Sequence, residues 1–457
     1  MKNLRMLVWG FLIVLSGCDP RPKVVEEKKE SGQPVRKVSI DEIETGIKDY
    51  IEEETRKGDG YFHVKDKDRG LRMKLVRVHT EYLSNLGPKS HFACVDLADV
   101  SGDVYDVDFF LEGDPGAMKV TETTVHKLNG KPYYTWKQRE DKTWHRVPVE
   151  GASEDLLGVI QGTDKFEFYY QATLPEMKEA ARMWIPIAQS DTFQKVKVIS
   201  IDVPGKQRTL EEKQYGNTIL YVELGPEHSG ETVEIRYEVE RREKSPFVAQ
   251  ELVSDQYLKP NLLMPVGGRF KKIAADAIGE KRRDSKLMQA RALYDYVIDT
   301  MRYMKHGNYG RGDAEYACDT RTGNCSEFHS FFISLARSAG IPSRFAIGAS
   351  IPSDRNDGGI DGYHCWAEFY ADGKWWPIDI SEGNKYTALA TYYFGRHPAN
   401  RIELSRGRDL KVDPAPASGP INFLAFPLLE VGGEVVKTKN YFSFLRKGRA
   451  KENSEGI

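Results

Sequence analysis

Gly323-Asn324-Cys325-Ser326-Glu327-Phe328-His329 reads as the first turn of a helix. From Phe328 the apolar residues recur at Phe331, Phe332, Leu335, Ala336 and Ala339, the spacing of an amphipathic helix. Gly340 supplies a C-terminal stop, and Pro342 lies just beyond it. Asn324 suits the N-cap and Glu327 follows three residues later, a capping-box arrangement. Cys325 is then the first helical residue, where unpaired N–H groups and the helix dipole favour a thiolate. Its backbone N–H is also available to an acyl oxyanion. An isolated cysteine is more often a small buried hydrophobe. The capped helix start is what favours a nucleophile here.

A second unit supplies the base. Tyr363 to Tyr370 reads as a strand, Asp372-Gly373 as a hairpin turn, and Lys374 to Ile380 as the return strand. A two-residue loop pairs Ala371 with Lys374, and counting outward brings Trp366 opposite Asp379. His364 and Trp366 share one face because side chains alternate along a strand. Asp379 is therefore the diagonal neighbour of His364, within hydrogen-bond reach, while Cys365 points to the other face. A carboxylate beside an imidazole fixes its tautomer and stabilises the imidazolium. Cys325, His364 and Asp379 are the candidate nucleophile, base and orienting acid.

Thr322 to Ile341, Tyr363 to Tyr370 and Trp376 to Glu382 together resemble the core of the transglutaminase-like superfamily, thiol enzymes related to papain. The similarity continues through Tyr392-Tyr393-Phe394-Gly395, Arg401, Gly407-Arg408-Asp409 and Ile421-Asn422-Phe423 to Val431-Gly432-Gly433. The resemblance implies that Cys325 attacks an amide carbonyl, His364 protonates the leaving nitrogen, and a thioester remains. Water would complete a hydrolysis, as in a protease or amidase, and this is the expectation. A lysine amine would instead complete a cross-link, as in a protein-glutamine gamma-glutamyltransferase. A membrane-tethered binding or scaffold protein without catalysis is the alternative of a different class. The family's second oxyanion donor is an aromatic side chain upstream of the cysteine, for which Tyr303 and Tyr309 are candidates.

The N-terminus sets the expected compartment. Lys2 and Arg5 precede an apolar run from Leu7 to Leu15 that is short for a bilayer span. Leu15-Ser16-Gly17-Cys18 resembles a bacterial lipobox, which implies cleavage before Cys18 and lipidation of Cys18; a short signal anchor is the alternative. Asp19 resembles an inner-membrane retention signal. The expectation is an extracytoplasmic lipoprotein held at the membrane by its lipid. Its partners would be protein or peptide substrates of the cell envelope, with a protein partner for the first domain also open.

Formal net charge is −2, or −4 once Lys2 and Arg5 leave with the signal, too balanced for nucleic acid as a partner. Of five cysteines, setting aside Cys18 and Cys325 leaves Cys94, Cys318 and Cys365, an odd set that makes no disulfide framework. A Cys318–Cys365 bridge and two buried thiols are both open. There is no Walker loop or dinucleotide fingerprint, so no cofactor is expected. His329, one turn below Cys325, lacks a second ligand at metal spacing and reads as structural.

The fold class is α+β and multidomain. Residues 1–17 read as signal and 18–37 as a charged tether. Residues 38–159 read as a helix on an antiparallel sheet, cystatin-like in outline. Ile40, Ile43, Ile47 and Ile51 mark one helix face, and Ser39 its cap. Strands are expected at Leu71–Thr80, His91–Leu97, Tyr105–Leu111, Thr121–Leu128 and Tyr133–Gln138. Asp96, Asp99, Asp103, Asp106 and Asp108 match no EF-hand spacing and read as solvated turn residues. Residues 160–245 read as a β-sandwich, 246–439 as the transglutaminase-like core, and 440–457 as a loose basic tail. Ser353 to Gly362, rich in glycine and asparagine, reads as a loop, with a mobile lip over the cleft as the alternative.

Overall fold

A computed structural model describes residues 38–66, 69–80, 83–87, 89–129, 131–138, 144–148, 159–248, 253–280, 285–305, 307–353, 355–385 and 389–450. The signal, the tether and Cys18 lie outside these residues. The first helix is Ile40–Lys57, where Ser39 and Glu42 form a reciprocal capping box. Ile43, Ile47 and Ile51 are buried along one face, as the spacing predicts, while Ile40 is exposed. They pack on a seven-stranded antiparallel sheet whose main order is Phe62–Asp66, Arg69–Val78, Ser90–Asp99, Val104–Glu112, Lys119–Leu128 and Lys131–Pro132. Val95, Leu97, Val107 and Phe109 face the helix from the two central strands.

The aspartates depart from expectation. Asp99 and Asp103 do flank a turn, but Asp96, Asp106 and Asp108 are buried strand residues with no exposure. They sit on the sheet face turned away from the helix, a face covered by the rest of the protein. Ala98 and Val104 on that face pack into the same apolar core as Phe331, Phe369 and Trp376. Arg291 reaches across to Asp96 at 2.8 Å. A sequence full of acids looks solvated until the partner surface that buries it is known.

Two five-stranded sheets share an apolar core and form the sandwich. One holds Gln194–Asp202, Thr232–Arg242, Thr163–Thr173, Lys439–Ala450 and Asp357–Ile360. The other holds Lys206–Glu212, Asn217–Leu224, Ala181–Ile187, Leu428–Val431 and Glu434–Val436. Thr163–Thr173 alternates with period two, placing Phe166, Phe168 and Tyr170 inside against Met183, Ile185, Val222 and Tyr237. The sandwich is therefore not contiguous in sequence.

Residues 439–450 are not a loose tail. They run as a strand between Thr163–Thr173 and Asp357–Ile360. Phe442 and Phe444 enter the core, and Arg446, which reads as tail basicity, is matched by the buried Asp164 at 3.0 Å. The same pairing corrects the reading of Ser353 to Gly362 as a loop or lip, because Asp357–Ile360 is an edge strand bonded to residues 442–445. Ending the chain at Lys437 should therefore unfold the sandwich. Each lost core phenylalanine costs about 3–5 kcal/mol against a total stability of about 5–15 kcal/mol. A thermal melt within a few degrees of the full chain would contradict this.

The third part carries the cysteine. Helices Gly268–Ile278, Lys286–Thr300 and Ala314–Thr320 surround Cys325–Ser338, which packs on a sheet ordered Lys374–Ile378, His364–Ala371, Ser343–Ser350, Arg401–Arg406. The cysteine helix is buried from Cys325 to Arg337 on all sides, more than its amphipathic pattern predicts. Its polar positions are met by neighbours. Glu327 accepts from the backbone N–H of Gly310 and Gly312, Ser330 accepts from Arg408, and Arg337 donates to the Ser343 and Lys259 carbonyls. The Asp372-Gly373 hairpin turns through two positive φ values and pairs Ala371 with Lys374, the register counted from the sequence.

Candidate active site

Cys325 opens its helix as the capping pattern predicts. Asn324 Oδ1 accepts the Ser326 N–H at 2.8 Å, and the Glu327 carboxylate accepts the Asn324 N–H at 3.1 Å. The thiol therefore stands at the positive end of a rigid helix and is 2% exposed. His364 begins the neighbouring strand and is hydrogen-bonded to the Cys325 sulfur. His364 Nε2 lies 2.7 Å from Asp379 Oδ2, which leaves Nδ1 as the nitrogen facing the thiol. The structure thus brings all three predicted residues together.

Asp379 is held from four directions. Its Oδ2 receives His364 and, at 2.7 Å, Arg401 Nη2; its Oδ1 accepts the Ser381 hydroxyl at 2.9 Å and the Glu382 N–H at 3.1 Å. Every lone-pair direction of the carboxylate is used, so it cannot rotate away from the imidazole. Arg401 was legible only as one point in a long resemblance. It is fully buried under the Trp366 ring, 5.4 Å from its centroid. Arg401→Met would strip a buried carboxylate of its guanidinium, which costs about 3–5 kcal/mol when one partner of a buried pair is removed. Chemical denaturation should show that loss, and a change below about 1 kcal/mol would contradict the assignment.

The charges follow from these contacts. Burial alone would raise the Cys325 thiol, but hydrogen bonds from Cys365 and His364, with the imidazolium charge, hold it well below the ordinary cysteine range. Burial disfavours the His364 cation, yet the Asp379 carboxylate outweighs it and pushes the imidazole up to about 9. Asp379 is held well below the usual carboxylate range, against its own burial, by His364 and Arg401. These directions favour a thiolate beside an imidazolium.

Two further residues frame it. His329 Nε2 accepts the Ile380 N–H at 3.0 Å, so Nδ1 must carry the proton that it donates to the Cys325 carbonyl at 2.7 Å. Burial lowers its pKa and keeps that neutral tautomer. His329 thus ties the cysteine helix to the backbone beside Asp379. Cys365 lies on the face against the cysteine helix, with Sγ 3.9 Å from Ser326 Oγ and 3.8 Å from His329 Nδ1. Cys94, Cys318, Cys325 and Cys365 are all free thiols, so Cys318 and Cys365 are not bridged.

Of the two upstream aromatics, Tyr303 is the one carried to the site. Arg302–Tyr303 pairs in parallel with Thr322–Gly323, directly before the cysteine helix, whereas Tyr309 is exposed. Burial, then the Cys325 charge, raises the Tyr303 phenol, which stays protonated and able to donate.

Residues 271–380 match the transglutaminase-like superfamily, a span that includes Cys325, His364 and Asp379. An uncharacterized protein of Haemophilus influenzae is 25% identical, covering 59% of this chain and 86% of its own. Among solved structures, a candidate cysteine protease from Cytophaga hutchinsonii is 15% identical, covering 64% of this chain and 94% of its own at a TM-score of 0.44. The periplasmic domain of TgpA from Pseudomonas aeruginosa is 13% identical, covering 53% and 99% at a TM-score of 0.29. The chain thus carries a transglutaminase-like superfamily domain, built around the helix that Cys325 opens.

Proposed function

We propose that the protein is a thiol enzyme that cleaves protein or peptide amides through a thioester on Cys325. The observation that carries this reading is Cys325 at a capped helix start beside His364, whose imidazole is fixed by Asp379 and, through it, Arg401. The thiolate attacks the amide carbonyl carbon, and the C–N bond breaks as His364 gives its proton to the leaving nitrogen. The Cys325 backbone N–H at the helix start would donate to the oxyanion, with the Tyr303 hydroxyl as a second donor; the pairing of Tyr303 with Gly323 supports this. Water, deprotonated by His364, then attacks the thioester, and the C–S bond breaks to restore the thiolate. A lysine amine in place of water would give a cross-link.

The Leu15-Ser16-Gly17-Cys18 run supports a lipid anchor at Cys18 and an extracytoplasmic site of action. Among the described residues no helix is long and apolar enough to cross a membrane. Incubating an envelope protein extract with the soluble chain and a tagged primary amine, against Cys325→Ala, tests the reading by mass spectrometry. New peptide termini or deamidated glutamines seen only with the intact cysteine make it a hydrolase of those substrates. Tagged glutamines make it a cross-linker, and no difference from the variant turns the assignment to binding.

A further inference from the structure

The first domain holds a second cluster of reactive side chains, remote in sequence from the catalytic trio. Strands Ser90–Asp99 and Val104–Glu112 place Cys94 opposite Asp108 and Asp96 opposite Asp106. All four lie on the sheet face turned away from the first helix and are at most 3% exposed. His79 follows the neighbouring strand. On the other side the register slips so that Lys127 pairs with Asp106 and Val125 with Val107. His126 is the extra residue of that bulge, so His126 and Lys127 both reach the buried stripe.

Three carboxylates converge on this buried stripe. Asp96 meets Arg291 and His79, Asp106 meets Lys127, and Asp108 accepts the Tyr134 hydroxyl at 2.7 Å and faces His126. The donor atoms are also poised. Those of His79, Cys94 and Asp106 lie within 4.8 Å of one another, as do those of Cys94, Asp108 and His126. Asp106 Oδ1 is buried, and the Asp106 and Asp96 carboxylates are opposed across the two strands.

His126 is oriented for the same task. Its Nε2 meets the Tyr134 carbonyl at 3.1 Å and must donate there, and its ring stacks on Tyr134 at 4.6 Å. In the neutral ring Nδ1 then bears the lone pair, buried without a hydrogen bond and 3.6 Å from Asp108 Oδ1. Two electron-rich atoms at that separation repel unless a proton or a metal cation lies between them. Ligands of a tetrahedral zinc stand about 3.3 Å apart, given bonds of about 2.0 Å. His79 has the matching feature, an Asp96 carboxylate at 2.9 Å from Nε2, the kind of outer partner that orients metal-binding imidazoles.

We propose that this stripe is a zinc-class cation site centred on the Cys94 thiolate, with donors from His79 and Asp106 on one side and Asp108 and His126 on the other. Thiolate, imidazole and carboxylate together select a borderline-soft divalent ion over calcium or magnesium. Binding exchanges the Cys94 proton for the ion, so one proton leaves to solvent and the stripe of carboxylates gains one net positive charge. The ion would brace the seam between the first domain and the core, since Asp96 is tied to Arg291 on the Lys286–Thr300 helix.

The test uses the full chain carrying Cys325→Ala, which removes the active-site thiolate as a rival ligand. After chelation and gel filtration it is reloaded with zinc or cobalt. The expected results are about one ion retained per chain, a thiolate-to-cobalt charge-transfer band, and a thermal midpoint raised by zinc. Adding Cys94→Ser should abolish the band and lower zinc affinity at least about tenfold. If that variant fails to fold, His126→Gln and His79→Gln decide, each expected to weaken binding. No retained ion, a band untouched by Cys94→Ser, or unchanged affinity in both histidine variants would overturn the site.

Discussion

Cys325→Ala is expected to abolish turnover and to leave the protein folded. The substitution deletes one sulfur from a side chain that is 2% exposed, and the helix start keeps its Asn324–Glu327 cap. The stability cost should stay near 1 kcal/mol, the scale of a small core truncation. The catalytic cost is of another order, because without the thiolate no thioester forms. A loss of at least about a thousandfold in kcat/KM is expected, the scale seen when a covalent nucleophile is removed. Activity would be read on a peptide identified by the envelope experiment, and folding by a thermal melt. Turnover that persists in a folded Cys325→Ala protein would end the covalent account.

Asp379→Asn should have the second largest effect and act on two quantities at once. The amide cannot accept from His364, Arg401, Ser381 and the Glu382 N–H together, and it carries no charge to hold the imidazolium. His364 then falls from about 9 toward its ordinary value near 6.5, and the thiolate loses its counter-ion. A drop of about 10³–10⁴ in kcat is expected from loss of tautomer and charge control. Arg401 is left buried without its carboxylate, a loss of about 3–5 kcal/mol.

The pH dependence carries the same signature. Because His364 is raised on folding, its stabilising contribution is fully present below about pH 6.5 and is lost as pH rises through about 9. Asp379 is depressed, so its contribution is present above about pH 4 and fades as pH falls toward its folded value. Asp379→Asn should flatten both limbs of the stability curve. An Asn variant with wild-type stability between pH 7 and pH 10 would show that the carboxylate does not hold the imidazole.

What was legible in the sequence obeyed local rules. The cap at Asn324–Glu327 and the Asp372-Gly373 turn are each set within a few residues, and they place Cys325 at a helix start and Asp379 beside His364. The alternation of Phe166, Phe168 and Tyr170 likewise announces a sheet. What escaped depends on partners far along the chain. Arg446 looks like a tail residue until Asp164 is beside it, 282 positions away. Asp96 looks solvated until Arg291 covers it, and Arg401 gains meaning only where its strand passes behind Asp379. Tyr303 required the short parallel pairing with Gly323 to separate it from Tyr309.

The central claim is that Cys325 is a thiolate at neutral and mildly acidic pH. The most direct test is its alkylation by iodoacetamide as a function of pH, followed on the Cys325 peptide by mass spectrometry. Comparing rates across pH cancels the effect of restricted access. An ordinary thiol slows roughly tenfold for each pH unit below about 8.5. The ion pair predicts rates at pH 6 and pH 8 that agree within about twofold, a plateau that His364→Gln should abolish. A Cys325 rate that falls with pH like that of a free thiol would contradict the account.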